Sequence, residues 1–399
     1  MSISPPAALP VHRLLPEEPL LLMGAGPTPI PHAVARANAV VINHLGPTMN
    51  RVVEGVKDLT RYAFQTDAEH VLGVAGPASA ANEMAIGNLA WPGRRVLSLV
   101  TGTFSGRLAE MARGVGADVT VVESVLGQPA TAAQAASALA RGRYDLVTLV
   151  QGETSCGVVN HEIPEIARLA REHGALVHID AVCTLSTMPL PMDAWGLDVV
   201  VTGGQKGLAS IPGVSLIALS DRAWEAVQAR PRPMPHWCLD ATRAWRFWGD
   251  HQYHYTAPVP GVLAVYEALR LIAEETLEAR FARHARCSAA LAAAVEAMGM
   301  SLLIPAEHRL SSVLAINRPD PVDATALKAR MVRDHGVEIA GAFGLDIVRI
   351  GQMGEQCRAE HLFRCINAFG ESLQKEGFDA DVAAGMAALS GALRAGGRR

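Results

Sequence analysis

The stretch that decides the fold is VVVTGGQKGLASIPG, residues 199–213. Four β-branched residues, a pattern typical of a strand buried on both faces, are followed by two glycines, Gln205 and Lys206. Open α/β sheets bind ligands at the carboxyl ends of their strands, and flanking glycines let a ligand approach the backbone closely. Lys206 is therefore a candidate ligand-binding residue. The alternative is a solvent-exposed loop lysine without a ligand.

A second stretch, ALVHID at residues 175–180, is an apolar strand that ends in Asp180, 26 residues before Lys206. A carboxylate at the end of a buried strand is costly unless a cation or a hydrogen-bond donor pairs with it. The alternative interpretation is a helix N-cap. Pyridoxal phosphate needs both residue types, because a lysine bonds to its aldehyde and a carboxylate keeps its pyridine nitrogen protonated.

Around these stretches, short apolar runs alternate with longer helical patterns. The predicted strands are 95–100, 118–123, 145–151, 175–180, 198–202 and 214–218, and we expect them to be buried on both faces. The predicted helices between them include 105–114, 131–140 and 163–172. This alternation predicts an α/β fold with a mostly parallel sheet covered by helices.

The pattern changes near Pro258. Two long helices are predicted at 261–281 and 282–298, followed by a smaller α+β unit with strands near 312–316, 337–339 and 346–350 and helices at 323–333 and 359–374. The tail 379–394 has a helical pattern, with a frayed end at 396–399. We therefore expect an N-terminal arm (1–20), a large domain (21–258), a small C-terminal domain (259–375) and a helical tail (376–399).

Composition excludes several classes of function. The chain has 399 residues, 50% of them hydrophobic and 19% charged, which suits a folded enzyme rather than a disordered chain. A net charge of −4 and 5% aromatic residues argue against nucleic-acid binding. No apolar run is long enough to span a bilayer, and residues 1–20 lack the apolar core of a secretion signal. Six scattered cysteines fit a reducing cytoplasm better than a disulfide framework.

Several motifs occur together and in order: LLMGAGPTPIP (21–31), AGPASAANE (75–83), GTFSGR (102–107), QGETSCGVV (151–159), HIDAVCTL (178–185), TGGQKG (202–207), YHYTAPV (253–259) and VRIGQMG (348–354). In this set the chain resembles the class V, fold-type I aminotransferases that depend on pyridoxal 5'-phosphate, most of all their alanine–glyoxylate and serine–pyruvate branch. The resemblance spans about residues 20–375. It implies a seven-stranded sheet in the large domain and a homodimer with shared active sites.

The resemblance assigns cofactor-binding roles residue by residue. Lys206 matches the lysine that bonds to the cofactor, and Asp180 matches the partner of the pyridine nitrogen. Phe104 matches the residue stacked on the ring, Val182 the residue on its other face, and Thr154 the hydroxyl near its phenolic oxygen. The phosphate contacts implied are Ala78, Ser79 and Gln205, with Tyr253 and Thr256 reaching it from the neighbouring subunit.

Three further residues are implied at the substrate side. Arg349 matches the arginine that binds the substrate carboxylate through its planar fork, Gly26 lies in the substrate loop, and His44 lies near the substrate mouth. Two departures stand out. Pro77 replaces a residue of the phosphate turn and has no N–H to donate. The arginine that many relatives carry beside position 44 is missing, which leaves the amino donor open.

The reaction expected is a ping-pong transfer of an amino group from a small amino acid, such as alanine or serine, to glyoxylate or pyruvate. The alternatives are a class V transaminase with an unusual donor (ureidoglycine or pyridoxamine), a lyase or a desulfurase using Cys357, and a non-catalytic homologue that binds a ligand or partner. His251 and His254 lack the context of a zinc site, so we expect no metal.

Overall fold

The computed structural model describes residues 6–395. Its centre is a seven-stranded sheet whose members, in order across the sheet, are His70–Ala75, Val214–Leu219, Val199–Gly203, Leu176–Asp180, Leu146–Val150, Arg95–Val100 and Asp118–Glu123. Five neighbouring strands run parallel, and only Val214–Leu219 is antiparallel to both of its neighbours. The predicted α/β fold with a mostly parallel sheet is confirmed.

Two features of the sheet differ from the sequence-based expectation. The edge strand Asp118–Glu123 is half-exposed along its length, because it has a neighbour on one side only. The strand His70–Ala75 was not predicted, since Gly73 interrupts its apolar run. Gly73 is needed there because a Cβ atom would lie 2.1 Å from Cζ2 of Trp248.

Helices follow most strands of the sheet, and several of them pack against it. Their apolar residues follow the helical period: in Ile163–Glu172 the buried residues recur at positions 163, 166, 167 and 170. The helices described are His32–Asn38, Pro47–Phe64, Ala78–Leu89, Thr103–Gly114, Ala132–Leu139, Ile163–Glu172, Asp221–Gln228, Ala241–Trp248, Val259–Glu275, Leu277–Ala297, Ala324–His335, Ala359–Lys375 and Val382–Ala395. None of the helices in residues 6–395 is long and apolar enough to cross a membrane.

The boundary between the two long helices was placed wrongly at residues 281 and 282. The break lies at Thr276, whose φ of 68° cannot continue a right-handed helix. The Thr276 side chain then accepts the N–H of Ala279 and caps the second helix. Sequence periodicity misses this break because apolar residues continue across it.

A second hydrophobic core surrounds a three-stranded antiparallel sheet of Val313–Asn317, Ile347–Gly351 and Ala340–Gly341. The short strand Leu21–Leu22 pairs in parallel with Val337–Glu338, so the first motif of the chain is tied to its C-terminal part. The tail helix Val382–Ala395 packs on Leu277–Ala297, where Gly385 allows close approach to Met298. The predicted α+β part and tail helix are thus present, while the frayed end 396–399 and positions 1–5 of the arm lie outside the described residues.

Candidate active site

The site lies at the edge of the main sheet where the parallel strands end. Asp180 is the last residue of Leu176–Asp180, and Lys206 comes three residues after Val199–Gly203. Glu153 and Thr154 follow the neighbouring strand Leu146–Val150. Because parallel strands bring their carboxyl ends to one edge, residues separated by up to 53 positions in the sequence meet there.

Lys206 lies against the N-terminal loop. Its Nζ donates to the carbonyl of Ala25, and a Cβ atom added to Gly26 would lie 2.7 Å from both Cδ and Nζ of Lys206. Gly26 also has a φ of +93°, which favours glycine. Burial lowers the pKa of the Lys206 amine, which increases the fraction of neutral, nucleophilic amine. The hydroxyl of Thr28 donates to the carbonyl of Lys206 at 3.3 Å and helps to hold the loop in place.

Asp180 is held by two donors. Asn82 Nδ2 donates to its Oδ2 at 2.8 Å, and the backbone N–H of Val182 donates to its Oδ1 at 2.9 Å. Burial raises the pKa of Asp180 to about 6, against the smaller opposing effect of these hydrogen bonds. Asn82 was not assigned a role from the sequence, although it stands in the motif AGPASAANE. The sequence signal for a role at the site is the position of Asn82 one helical turn after Ser79, a predicted phosphate contact.

Glu153 is a second buried carboxylate that sequence reasoning missed. It accepts the backbone N–H of Phe104 at 3.1 Å and that of Ser105 at 2.9 Å, at the first turn of the helix Thr103–Gly114. The Ser155 hydroxyl also donates to it at 2.5 Å. A carboxylate at a helix N-terminus is stabilised by the unpaired N–H groups and the helix dipole. Glu153 thereby fixes the position of Phe104.

Arg349 is 5% exposed, lies on the strand Ile347–Gly351 of the smaller sheet and reaches the segment after Leu146–Val150 of the main sheet. Its Nε donates to the Gly341 carbonyl at 2.7 Å and its Nη1 to the Thr154 carbonyl at 2.5 Å. The guanidinium carbon lies 5.6 Å from the ring centroid of Phe343, whose ring in turn meets Phe104 edge-on at 5.9 Å. Burial lowers the pKa of Arg349. None of the ion pairs in residues 6–395 uses this arginine, so it is available to an external carboxylate.

Two of the residues predicted to bind the phosphate, Ala78 and Gln205, lie beside the strand end at Gly203. A Cβ atom there would lie 2.9 Å from Cβ of Ala78 and 3.0 Å from Oε1 of Gln205. Ala78 is buried and begins the helix Ala78–Leu89, while Ser79 is exposed. Oε1 of Gln205 is buried without a hydrogen-bond partner among the described residues. Pro77, the N-cap, offers no N–H, as expected from the sequence.

The remaining predicted residues are Tyr253, Thr256 and His44. Tyr253 is 59% exposed and Thr256 is exposed, and no hydrogen bond or ring contact of residues 6–395 joins either to Lys206 or Asp180. Tyr253 instead meets the ring of His44 edge-on at 5.8 Å. His44 Nε2 is buried without a partner in the described part of the chain.

The cysteine proposed for desulfurase chemistry is buried. Cys357 is 1% exposed, its thiol donates to the carbonyl of Gln352 at 2.9 Å, and burial raises the pKa of the thiol well above its usual range. A nucleophilic cysteine needs the opposite environment, one that is accessible and lowers the thiol pKa. Within residues 6–395 no group of three or more histidine, cysteine or acidic side chains is placed to hold a metal ion.

Known proteins of one family are similar to this chain. The family model for aminotransferase class V matches residues 21–359. The curated alanine–glyoxylate aminotransferase of Oryctolagus cuniculus is 31% identical over 382 residues, covering 93% of this chain and 96% of that protein.

Solved structures of aminotransferases are also similar to this chain. The alanine–glyoxylate aminotransferase from Nostoc sp. superposes with a TM-score of 0.87 at 34% identity, covering 92% of this chain and all of that one. The ureidoglycine–glyoxylate aminotransferase from Bacillus subtilis superposes with a TM-score of 0.93 at 27% identity, covering 95% of this chain and 99% of that one.

Proposed function

The chain belongs to the class V aminotransferases, and from that membership we propose that it transfers an amino group from a small amino acid, such as alanine or serine, to glyoxylate or pyruvate. Its fold is fold type I of the pyridoxal-phosphate enzymes. The observation that carries the proposal is the convergence of Lys206, Asp180 and Arg349 at one sheet edge, with Arg349 free of any intramolecular ion pair among the described residues.

The described residues fit pyridoxal 5'-phosphate, the cofactor that the family implies. The helix Ala78–Leu89 begins beside Gln205, and backbone N–H groups at a helix start readily bind an anion. The side-chain amide of Gln205, whose Oε1 is buried without a partner among the described residues, can turn its NH₂ group toward that anion. Gly203 leaves no room for a side chain between Ala78 and Gln205. We propose that Ala78, Ser79 and Gln205 hold the phosphate, and that Thr154 reaches the phenolic oxygen. The bound cofactor supplies an aldehyde for the amine and a protonated pyridine that accepts the electron pair released at Cα.

In the proposed mechanism Asp180 holds the proton on the pyridine nitrogen. Asn82 and the N–H of Val182 occupy one oxygen each, which keeps the carboxylate oriented toward the ring. Arg349 binds the substrate carboxylate with the donors that Gly341 and Thr154 leave free. Lys206, with its lowered pKa, is then the base that removes the Cα proton and the acid that returns it.

Phe104 and Val182 would hold the two faces of the ring. Phe104 is fixed by Glu153 through its backbone N–H, and Val182 by the contact of its N–H with Asp180. Lys206 lies against the backbone at Gly26, which leaves little space on that side of the amine and supports small substrates such as glyoxylate. The similarity to the Bacillus subtilis ureidoglycine–glyoxylate enzyme keeps ureidoglycine as a second candidate donor, and pyridoxamine remains a third to be tested.

We also propose a homodimer with shared active sites, in which Tyr253 and Thr256 of each subunit reach the phosphate of the other. The support is their exposure in a single chain, where no hydrogen bond of the described residues joins them to Lys206 or Asp180. A cytoplasmic location is part of the proposal as well. It is supported by the six unpaired cysteines, as is usual in a reducing compartment.

The first test is the visible absorption of the purified protein before and after the addition of alanine, serine, ureidoglycine or pyridoxamine, one at a time. One donor should bleach the visible band, and pyruvate or glyoxylate should restore it. Cys357→Ala should behave like the wild type, whereas a desulfurase would lose its activity. Protein that takes up no pyridoxal phosphate would overturn the proposal.

A further inference from the structure

A second polar cavity lies far from Lys206, at the edge of the main sheet where the parallel strands begin. It has a volume of about 320 Å³ and lies between the end of the helix Ala78–Leu89, the loop after Asp221–Gln228 and the helix Ala241–Trp248. Four arginines line it: Arg230, Arg232, Arg243 and Arg246. A volume of this size suits a small metabolite.

Arg230 is the unusual member of this set. Its Nε and Nη1 atoms are buried, and neither has a hydrogen-bond partner among residues 6–395. Its guanidinium carbon lies 5.2 Å from the ring centroid of Trp91, which holds the group in place. Buried N–H donors without an acceptor are costly, and an anion in the adjoining cavity would satisfy those of Nε and Nη1.

The positive charge of the four arginines is not neutralised by the acidic side chains that line the cavity. Asp240 is its single acidic residue, and it is already used as the N-cap of Ala241–Trp248 and as the partner of Arg243 at 3.2 Å. Arg230, Arg232 and Arg246 take part in none of the ion pairs of the described residues. Nearby Arg94 differs, because it pairs with Asp145 at 2.7 Å.

We propose that this cavity binds a small phosphate-bearing anion, with Arg230 as the central contact and Arg232 and Arg246 as further donors. Several guanidinium groups approaching from different elements suit a phosphate, which offers acceptor oxygens in several directions, better than a planar carboxylate. The site is separate from the proposed cofactor phosphate site, which lies at the opposite edge of the sheet.

The proposal is tested by calorimetric titration of inorganic pyrophosphate into the holoenzyme at constant ionic strength. Holoenzyme is used so that the cofactor occupies its own phosphate site. We expect saturable binding in the submillimolar range, at least tenfold weaker in Arg230→Gln and weaker also in Arg246→Gln. Arg333→Gln removes a charge from an exposed arginine elsewhere and should bind as the wild type does.

A second readout uses Trp91, because an anion on Arg230 changes the surroundings of the indole. Pyrophosphate should change the tryptophan fluorescence of the wild type, and Trp91→Phe should lose that change while still binding. The proposal would be overturned if no binding of pyrophosphate were detected up to about 10 mM. It would also be overturned if Arg230→Gln and Arg333→Gln weakened binding equally, or if the amino donor displaced pyrophosphate. Unchanged transamination by Arg230→Gln without pyrophosphate would show that the variant is folded.

Discussion

The carboxylate of Glu153 accepts the backbone N–H of Phe104 at 3.1 Å, so a residue at the end of one strand fixes the first turn of the helix that follows another. Ser105 and Ser155 add further donors to the same carboxylate. Glu153 is completely buried and is in no ion pair of the described residues. Its carboxyl oxygens accept hydrogen bonds from the N–H groups of Phe104 and Ser105, so the position of Phe104 depends on Glu153.

Glu153→Ala should therefore loosen Phe104, the residue proposed to stack on the cofactor ring, as well as the fold. We expect a loss of unfolding free energy on the order of 3 kcal/mol, because two helix N–H groups lose their acceptor in a buried place. The affinity for pyridoxal phosphate should fall at the same time. Urea unfolding and cofactor titration measure the two effects. Glu110→Ala, at an exposed position of the same helix, is the control and should change neither.

The stability of the cofactor-free protein should depend on Asp180 between about pH 4 and pH 6. Folding raises the pKa of this carboxyl to about 6, so the folded state binds the proton more tightly than the unfolded state. The contribution of Asp180 to stability is present at low pH and is lost as the pH rises through about 6. Urea unfolding at several pH values should show that the unfolding free energy of the wild type falls as the pH rises, and that this fall is smaller in Asp180→Asn. Equal slopes would mean that Asp180 does not titrate there.

Arg349→Lys should lower kcat/KM for an amino acid donor by roughly 10- to 100-fold, since a lysine makes no bidentate contact and hydrogen bonds to charged groups contribute about 1.5–3 kcal/mol. The reaction with an amine that has no carboxylate should change much less. The ratio of the two rates, measured from the bleaching of the visible band, separates loss of carboxylate binding from a general defect. A parallel fall in both would contradict the assignment.

Gly26→Ala should inactivate the enzyme, because the new Cβ would lie 2.7 Å from Cδ and Nζ of Lys206. Gly93→Ala is a matched control: its φ of +96° is close to the +93° of Gly26, but no atom lies within 4 Å of its added Cβ. Both variants should lose about 1–3 kcal/mol of stability from backbone strain. Only Gly26→Ala should lose activity, and an equal loss in both would attribute the effect to strain.

Shared active sites can be tested by mixing inactive subunits. Lys206→Ala lacks the lysine, and a Tyr253→Ala/Thr256→Ala double variant lacks the proposed phosphate contacts. If each site combines Lys206 of one subunit with Tyr253 and Thr256 of the other, mixed dimers hold one intact site, and about a quarter of the wild-type activity should return. The assay is run at limiting cofactor. Recovery no greater than that of the unmixed variants would place both residue sets in one subunit or outside the site.

Much of the fold could be predicted because the parallel strands are strongly apolar and regularly spaced. Five of the six predicted strands are central or buried members of the sheet, and their carboxyl ends locate Lys206 and Asp180. The strand His70–Ala75 was missed because Gly73 breaks its pattern, although that glycine is explained by Trp248. The helix break at Thr276 was missed for a similar reason. A break made by one residue with a positive φ does not change the spacing of the apolar residues around it.

The sequence by itself determined the fold class, the family resemblance and the lysine, aspartate and arginine of the proposed mechanism, because each stands in a short motif with a recognisable local pattern. Only the tertiary structure decided what surrounds them. Asn82 contacts Asp180 from 98 positions away, and Arg349 contacts Thr154 from 195 positions away. Hydrogen bonds between such distant residues depend on how strands and helices pack, and no local pattern encodes them. The burial of Glu153 and the lack of an ion-pair partner for Arg230 among the described residues likewise follow from the tertiary structure alone.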